Sequence, residues 1–250
     1  MSVTAKRKPG KEEQQFLQGY NIHDYDLPLT SVDLVIFTIR DMSLQVLLVK
    51  RGDHPFKGEW ALPGGFIDVR HDASLEATAL RKLKEKTGVS APYVEQLQGF
   101  GSKDRDPRGW SSTFVYFALI SSDDVILQHG GGADDVKWFP LMHNKKLPAL
   151  AFDHADILDV ALLRLRSKVE YTSLPAHLLS KEFTLSELQQ VYEIVLGRQL
   201  DKSSFRKRIK EGDFLAELAG RQRLGSNRPA QLYALRDGKS PAIFSRLMGN

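Results

Sequence analysis

The chain has 250 residues, 42% of them hydrophobic and 26% charged, with 35 basic side chains against 31 acidic ones and a net charge of +4. This composition excludes a mainly disordered chain, and the length exceeds one small domain and accommodates two. The sequence contains no cysteine, which excludes disulfide scaffolds, thiolate zinc sites, iron–sulfur clusters and thiol nucleophiles and fits a reducing cytoplasm.

Residues 1–27 are polar and irregular, with a short helix possible over 11–18. Lys6, Arg7, Lys8 and Lys11 read as part of a solvated arm, and without an apolar stretch this start is not expected to be a secretory leader. Residues 32–39 and 44–49, rich in β-branched and aromatic side chains, read as a hairpin turning at Arg40-Asp41-Met42-Ser43. A loop punctuated by glycine and proline follows over 52–65. Residues 74–86 are expected to be helical, with Leu75, Ala79, Leu80 and Leu83 on one face and Gly88 as the stop. Residues 93–100, 113–120 and 135–139 read as further strands. Residues 153–168 form an amphipathic helix with Ile157, Leu158, Ala161, Leu162 and Leu165 on one side. Strands interleaved with two helices predict an α/β sandwich. No apolar run approaches the ~18 residues of a membrane-spanning helix.

Residues 171–183 contain Pro175 and little periodicity, and read as a linker. Thr184-Leu185-Ser186-Glu187 is a capping box that opens a helix running to about Leu196 and stopping at Gly197. Asp201 can cap a second helix over 202–210, which makes a helix-turn-helix. Strands at 214–218 and 231–235 then flank a loop bearing three arginines, the plan of a winged helix-turn-helix. The division expected is an arm at 1–27, a first domain at 28–172 and a second at 173–250.

Charge is distributed unevenly between these parts. From Pro175 onward there are 13 Lys and Arg against 8 Asp and Glu, whereas the remainder has 22 against 23. An excess confined to one domain suggests a polyanionic partner. Phe205 and Ile209, four residues apart, predict the buried stripe of the second helix, so Arg206, Lys207 and Lys210 should face outward. With Lys202, Ser203 and Ser204 on the same helix and Arg221, Arg223 and Arg228 in the wing, they are candidate contacts to double-stranded DNA, the helix entering the major groove and the wing the neighbouring backbone. The rival for such a domain is docking to protein.

The most informative stretch is Gly64-Gly65-Phe66-Ile67-Asp68 followed by Arg81-Lys82-Leu83-Lys84-Glu85-Lys86-Thr87-Gly88-Val89. It resembles the Nudix box, as do the flanking Trp60-Ala61-Leu62-Pro63 and Val136-Lys137-Trp138-Phe139-Pro140, so the resemblance implies a Nudix α/β/α sandwich. Nudix enzymes hydrolyse nucleoside diphosphates through magnesium held by clustered glutamates, because a hard cation needs several carboxylates on one helix face. Here Ala73, Lys82 and Lys86 stand where three of those glutamates would be, and only Glu85 remains. One carboxylate between two ammonium groups is a poor magnesium site, so neither metal nor catalytic residues are expected. Asp72 is expected to cap the helix, Glu76 to be solvated and Glu85 to pair with Arg81.

What remains can still bind a nucleotide. Gly64 and Gly65 allow close backbone approach to a diphosphate, Lys82 or Lys86 can neutralise phosphate charge, and Arg51 and Phe56 lie where Nudix proteins often hold ligand. Lys103-Asp104-Arg105-Asp106-Pro107-Arg108-Gly109 resembles a loop of the ADP-ribose-handling Nudix branch, and either Arg105 or Arg108 can grip a phosphate. Arg81 and Glu85 complete the candidate set. A degraded Nudix domain followed by a basic winged helix is similar to the NrtR family of Nudix-related transcriptional regulators, with Tyr20-Asn21-Ile22-His23-Asp24-Tyr25 before the first strand part of the likeness. The resemblance implies a homodimeric, cytoplasmic repressor of genes for NAD-cofactor synthesis or salvage, acting on a palindromic operator. It implies ADP-ribose or a related NAD metabolite as effector and requires no cofactor. The alternative is an active Nudix hydrolase of ADP-ribose carrying a basic accessory domain.

Overall fold

The structure is a computed structural model and describes residues 8–90, 93–127, 133–141, 146–224, 229–236, 240–245 and 247–248. Strands β1 (Leu29–Arg40) and β2 (Ser43–Arg51) form the expected hairpin. Its two turn residues, Asp41 and Met42, have φ of 47° and 56°, the left-handed pair of a type I′ turn whose twist matches the strands. The hairpin anchors a seven-stranded mixed sheet. β3 (Trp60–Ala61) and β4 (Gly64–Phe66) pair with β2 and β1, and β7 (Ala133–Pro140) pairs with β2. β6 (Ser111–Leu119) runs parallel to β1 from Leu29 to Phe37 and carries β5 (Tyr93–Ser102) on its other edge. β3 and β4 lie in the segment that reads as a loop, because strands of two and three residues split by Pro63 show no period.

The pleat sends alternate side chains to opposite faces. Val32, Leu34, Ile36, Leu47 and Ala118 pack with Ala79 and Leu83 of helix α2 (Leu75–Thr87), which lies on one face. Val35, Phe37, Val46, Leu48, Val115 and Phe117 pack with Ile157, Leu158, Ala161 and Leu165 of helix α3 (His154–Val169) on the other. This is the α/β/α sandwich. In α2 the cap is Ser74, whose hydroxyl accepts from the Ala77 amide at 3.1 Å, and the helix ends at Gly88 in the left-handed region. Asp72 therefore does not cap it, contrary to the expectation from sequence.

The second part has α4 (Leu185–Leu196), α5 (Lys202–Glu211) and the hairpin of β8 (Leu215–Arg223) with β9 (Ala230–Leu235), the winged helix. The capping box forms as expected: Thr184 Oγ1 accepts from Glu187 N at 3.2 Å, and Glu187 Oε2 accepts from Thr184 N at 2.7 Å. Asp201 caps α5 through Ser204 N at 2.8 Å. β8 runs five residues past its expected end, because a register shift between Glu217 and Gln222, with Gly220 at φ 72°, absorbs the break in pattern.

The segment that reads as a linker is instead packed core. Leu174, Ala176, Leu178 and Phe183 are each at most 3% exposed and belong to the cluster that joins the α3 face of the sheet to Leu188, Tyr192, Phe205 and Ile209. Its backbone is clamped by a segment from the other end of the sequence: Ser173 N donates to Ala242 O, Phe244 N to Tyr171 O and Met248 N to Glu170 O. Apolar residues in an irregular segment carry no period, so the sequence hides their burial. An N-terminal helix, α1 (Lys11–Gly19), has no buried residue, and Lys6 and Arg7 lie outside the described residues. No helix among the described residues is long and apolar enough to cross a membrane.

Candidate ligand cleft and nucleic-acid interface

A cleft of about 460 Å³ opens between β1, β4, the β5–β6 loop and α2. Five cationic side chains line it, Arg51, Lys82, Lys86, Arg105 and Arg108, against three carboxylates, Asp33, Asp53 and Asp106. The surplus suits an anionic ligand. α2 delivers Lys82 and Lys86 to the cleft because they lie one turn apart. Lys86 is only 6% exposed and its pKa is lowered by that burial, so an anion there would relieve the cost of the charged form. Arg51 is likewise lowered, by burial and then by the nearby Arg108. It lies 4.8 Å over the Phe152 ring and donates from Nε to Pro55 O at 2.7 Å.

Several candidates sit elsewhere than expected. Arg81 and Glu85 are not in the cleft lining. Arg81 donates to both oxygens of Asp72, at 2.8 and 2.6 Å, and to Glu85 at 2.9 Å. Asp72, whose side chain is 3% exposed, thus supplies the carboxylate that fixes Arg81, and the Arg81 hydrogen bonds hold its pKa far below the usual carboxylate range. The Glu85–Arg81 pair forms as expected and Glu76 is exposed. Phe56 packs edge-on against Phe152 at 4.7 Å and faces a separate groove. Gly64 lines the cleft and tolerates no side chain: a Cβ there would stand 2.0 Å from Asp33 Oδ1 and 2.7 Å from Val32 O. At Gly65, with φ of 151°, a side chain would be strained and would press on Lys82. Arg105 gives Nε and Nη2 to Asp153, both at 2.9 Å, which ties the β5–β6 loop to the start of α3. Arg108 is held by Asp106 at 2.7 Å and stacks over Phe66.

The carboxylate set does not fit the magnesium of a Nudix enzyme. Glu85 lies 3.3 Å from the Lys82 ammonium and bonds Arg81, Ala73 offers no ligand, and Lys86 occupies the next position on the helix.

His154 closes the back of the cleft. Its Nδ1 accepts from Leu62 N at 2.9 Å, so that nitrogen carries no proton. Burial lowers its pKa, outweighing the opposing pull of Asp33 and Asp153. The unfolded chain therefore binds a proton below about pH 6.5 that the native state resists, and stability falls as pH drops through that range. His154→Gln can accept from Leu62 N and cannot titrate. Between about pH 7.5 and 5.5, urea unfolding should show the wild type losing more stability than this variant. Equal losses would show that His154 does not contribute to acid sensitivity.

In the second part, Phe205 and Ile209 are 2% and 3% exposed, as their spacing predicts. Lys202, Ser203, Ser204, Arg206, Lys207 and Lys210 are all exposed on α5. The wing differs. Arg221 pairs with Glu182. Arg223 pairs with Glu187 at 3.0 Å and donates to Glu182 O at 3.1 Å. Both arginines are exposed and at the same time tied by these pairs to the start of α4 and the segment that leads into it. Arg228 lies outside the described residues.

The model of the NUDIX domain matches residues 30–160, and that of the NrtR DNA-binding winged helix domain matches residues 175–235. The ADPR responsive transcriptional repressor NtrR of Acinetobacter baylyi is 46% identical over 229 residues, 90% of each chain. The chain belongs to the NrtR family. The NrtR of Shewanella oneidensis, crystallised with a 27mer DNA, is 45% identical with a TM-score of 0.81 over 88% of this chain and 99% of that one. The NUDIX domain of the same NrtR, cocrystallised with ADP ribose, is 48% identical with a TM-score of 0.57 over 61% and 98%.

For this NrtR-family chain, sequence reasoning missed Asp33, Asp106, Phe152 and His154 in the cleft. Only Asp33 left a signal, a carboxylate inside an otherwise apolar strand. Asp106 and Phe152 sit in loops, and His154 at a helix start, where no period marks a buried side chain.

Proposed function

We propose that this chain is a DNA-binding transcriptional repressor that senses ADP-ribose, or a related NAD metabolite, in a Nudix cleft that does not hydrolyse it. Its targets on this reading are genes of NAD-cofactor synthesis or salvage. The observation that carries the proposal is the pair Lys82 and Lys86 lining the cleft from helix positions that carry glutamates in the Nudix box. Ammonium groups neutralise a diphosphate directly where an enzyme uses metal. The ligand contacts proposed are Arg51, Lys82, Lys86 and Arg108, and the DNA contacts Lys202, Ser203, Ser204, Arg206, Lys207 and Lys210. The identity of the Acinetobacter repressor and the DNA and ADP-ribose complexes of the Shewanella protein support both halves.

The acting form is a cytoplasmic homodimer on a palindromic operator, since two recognition helices on one face of a duplex must sit about 34 Å apart or a multiple of it. The sheet and the winged helix share one core, so a small shift around the cleft changes that spacing. Ligand then weakens DNA binding, and DNA weakens ligand binding by the same factor.

Titrating ADP-ribose into the protein with and without operator DNA tests the reading, and unequal affinities are expected. Equal affinities would end the sensor proposal. In parallel, ADP-ribose with magnesium should yield no AMP. Turnover near ~1 s⁻¹, an ordinary enzyme rate, would establish the hydrolase instead.

A further inference from the structure

Asp33 has no role in the account so far. It stands in the middle of β1, among Val32, Leu34, Val35 and Ile36, all 0% exposed, and is itself only 6% exposed. Its carboxylate lines the floor of the cleft. The strand register sets it opposite Gly64, and the missing side chain of Gly64 is the space that Oδ1 fills.

The nearest nitrogen donors do not satisfy it. Arg105 Nη2 lies 3.7 Å and His154 Nε2 3.8 Å from Oδ2, both beyond hydrogen-bond reach. Arg105 is committed to Asp153, and His154 is held through Nδ1 by Leu62 N, which leaves its Nε2–H 3.8 Å short of the carboxylate. A carboxylate offers about four lone-pair sites, and buried polar groups are almost always hydrogen-bonded. Its lone pairs face the cleft, where a donor on a ligand, in place of water, can reach them. A phosphate is an acceptor and is repelled by this carboxylate, whereas α2 lines the cleft with Lys82 and Lys86. β1 and α2 therefore bring different chemistry to the cleft: the carboxylate takes hydroxyls, the ammonium groups take phosphate.

We propose that Asp33 is a specificity-determining residue that accepts hydrogen bonds from ribose hydroxyls of the ligand, with Arg105 and His154 as positioning residues. The inference rests on the reading of the cleft as an ADP-ribose site and adds the group that tells a sugar-bearing diphosphate from a bare one.

Calorimetric titration of the full-length protein and of Asp33→Asn tests it with three ligands. These are ADP-ribose, ADP, which lacks the terminal ribose, and ADP-ribose lacking the adenosine 2′-hydroxyl. The wild type should prefer ADP-ribose over one analogue by about 10- to 100-fold, the range for a hydrogen bond to a charged group. Asp33→Asn should remove that preference by weakening ADP-ribose alone, and the analogue that matches the variant's loss names the ribose. Equal weakening of all three ligands would mark a structural role and overturn the proposal, as would no change. Should Asp33→Asn fail to fold, the wild type decides: equal affinity for all three ligands overturns the proposal, and the expected preference upholds it. If the wild type binds none of them, the reading of the cleft fails first.

Discussion

Replacing Arg206 and Lys207 together with glutamate should abolish operator binding and leave the thermal midpoint unchanged. Both side chains are exposed on α5, Lys207 opposite the buried Phe205 and Ile209 and Arg206 on their flank. Arg206 has no ion pair among the described residues, and Lys207 reaches Glu211 only at 4.0 Å between two exposed groups. Such a pair contributes almost nothing to stability, so the fold loses nothing by their removal. On DNA each lost contact costs about 1–3 kcal/mol, and the reversed charges add repulsion from the phosphates, so affinity should fall by about 100-fold or more. A gel shift at two salt concentrations reads the result. The single Lys207→Ala should weaken binding on all sequences and flatten the salt slope if it touches phosphate. Undiminished binding by the double variant would move the interface off α5. The contrast with Arg221 and Arg223 sharpens the test. Because they are held by Glu182 and Glu187, Arg221→Ala should cost less DNA affinity than Arg206→Ala.

The second large effect concerns the joint between the two parts. Tyr192 on α4 is fully buried, donates its hydroxyl to Thr172 O at 2.6 Å and meets Phe205 of α5 edge-on at 5.4 Å. It thus connects the chain after α3, the α4 core and the recognition helix. Tyr192→Ala opens a cavity and should cost about 3–5 kcal/mol, lowering the melting midpoint by about 6–20 °C for a chain of this size. Tyr192→Phe keeps the ring and leaves the buried Thr172 carbonyl without its donor, a cost of about 1–3 kcal/mol. Scanning calorimetry should show a single transition that moves as a whole, because one apolar cluster spans both parts. Two transitions, with only one displaced, would show that the shared core does not couple them.

Features set by local chemistry were legible in the sequence. The Thr184–Glu187 capping box, the Asp201 cap, the glycine stops at 88 and 197 and the Phe205/Ile209 stripe all depend on residues within one or two turns. The Nudix resemblance located the cleft and its lysines. What escaped depends on contacts distant in sequence. Asp72 reads as a helix cap because its partner Arg81 is nine residues away across a loop. The ion pairs of the wing arginines are invisible to local pattern, because Glu182 and Glu187 lie some 40 residues earlier. Gly64 reads as close backbone approach to a diphosphate, and nothing local shows that the space of its missing side chain is taken by Asp33, from a strand 31 residues upstream. The 171–183 segment has apolar residues without a period, and only the returning 242–248 segment shows why they are buried.

The pairing of β1 sets a timetable for the growing chain. Its parallel partner β6 begins about 80 residues later, with Leu29 opposite Ser111. At ribosomal speeds, roughly 4–16 s pass between the synthesis of one strand and the other. For that interval β1 has β2 on one edge, while the edge that belongs to β6 stays open beside a run of apolar side chains. An open apolar strand edge is a template for aggregation. The newborn chain therefore passes through a window in which chaperone binding, slow decoding or temperature decides how much of it reaches the sheet at all.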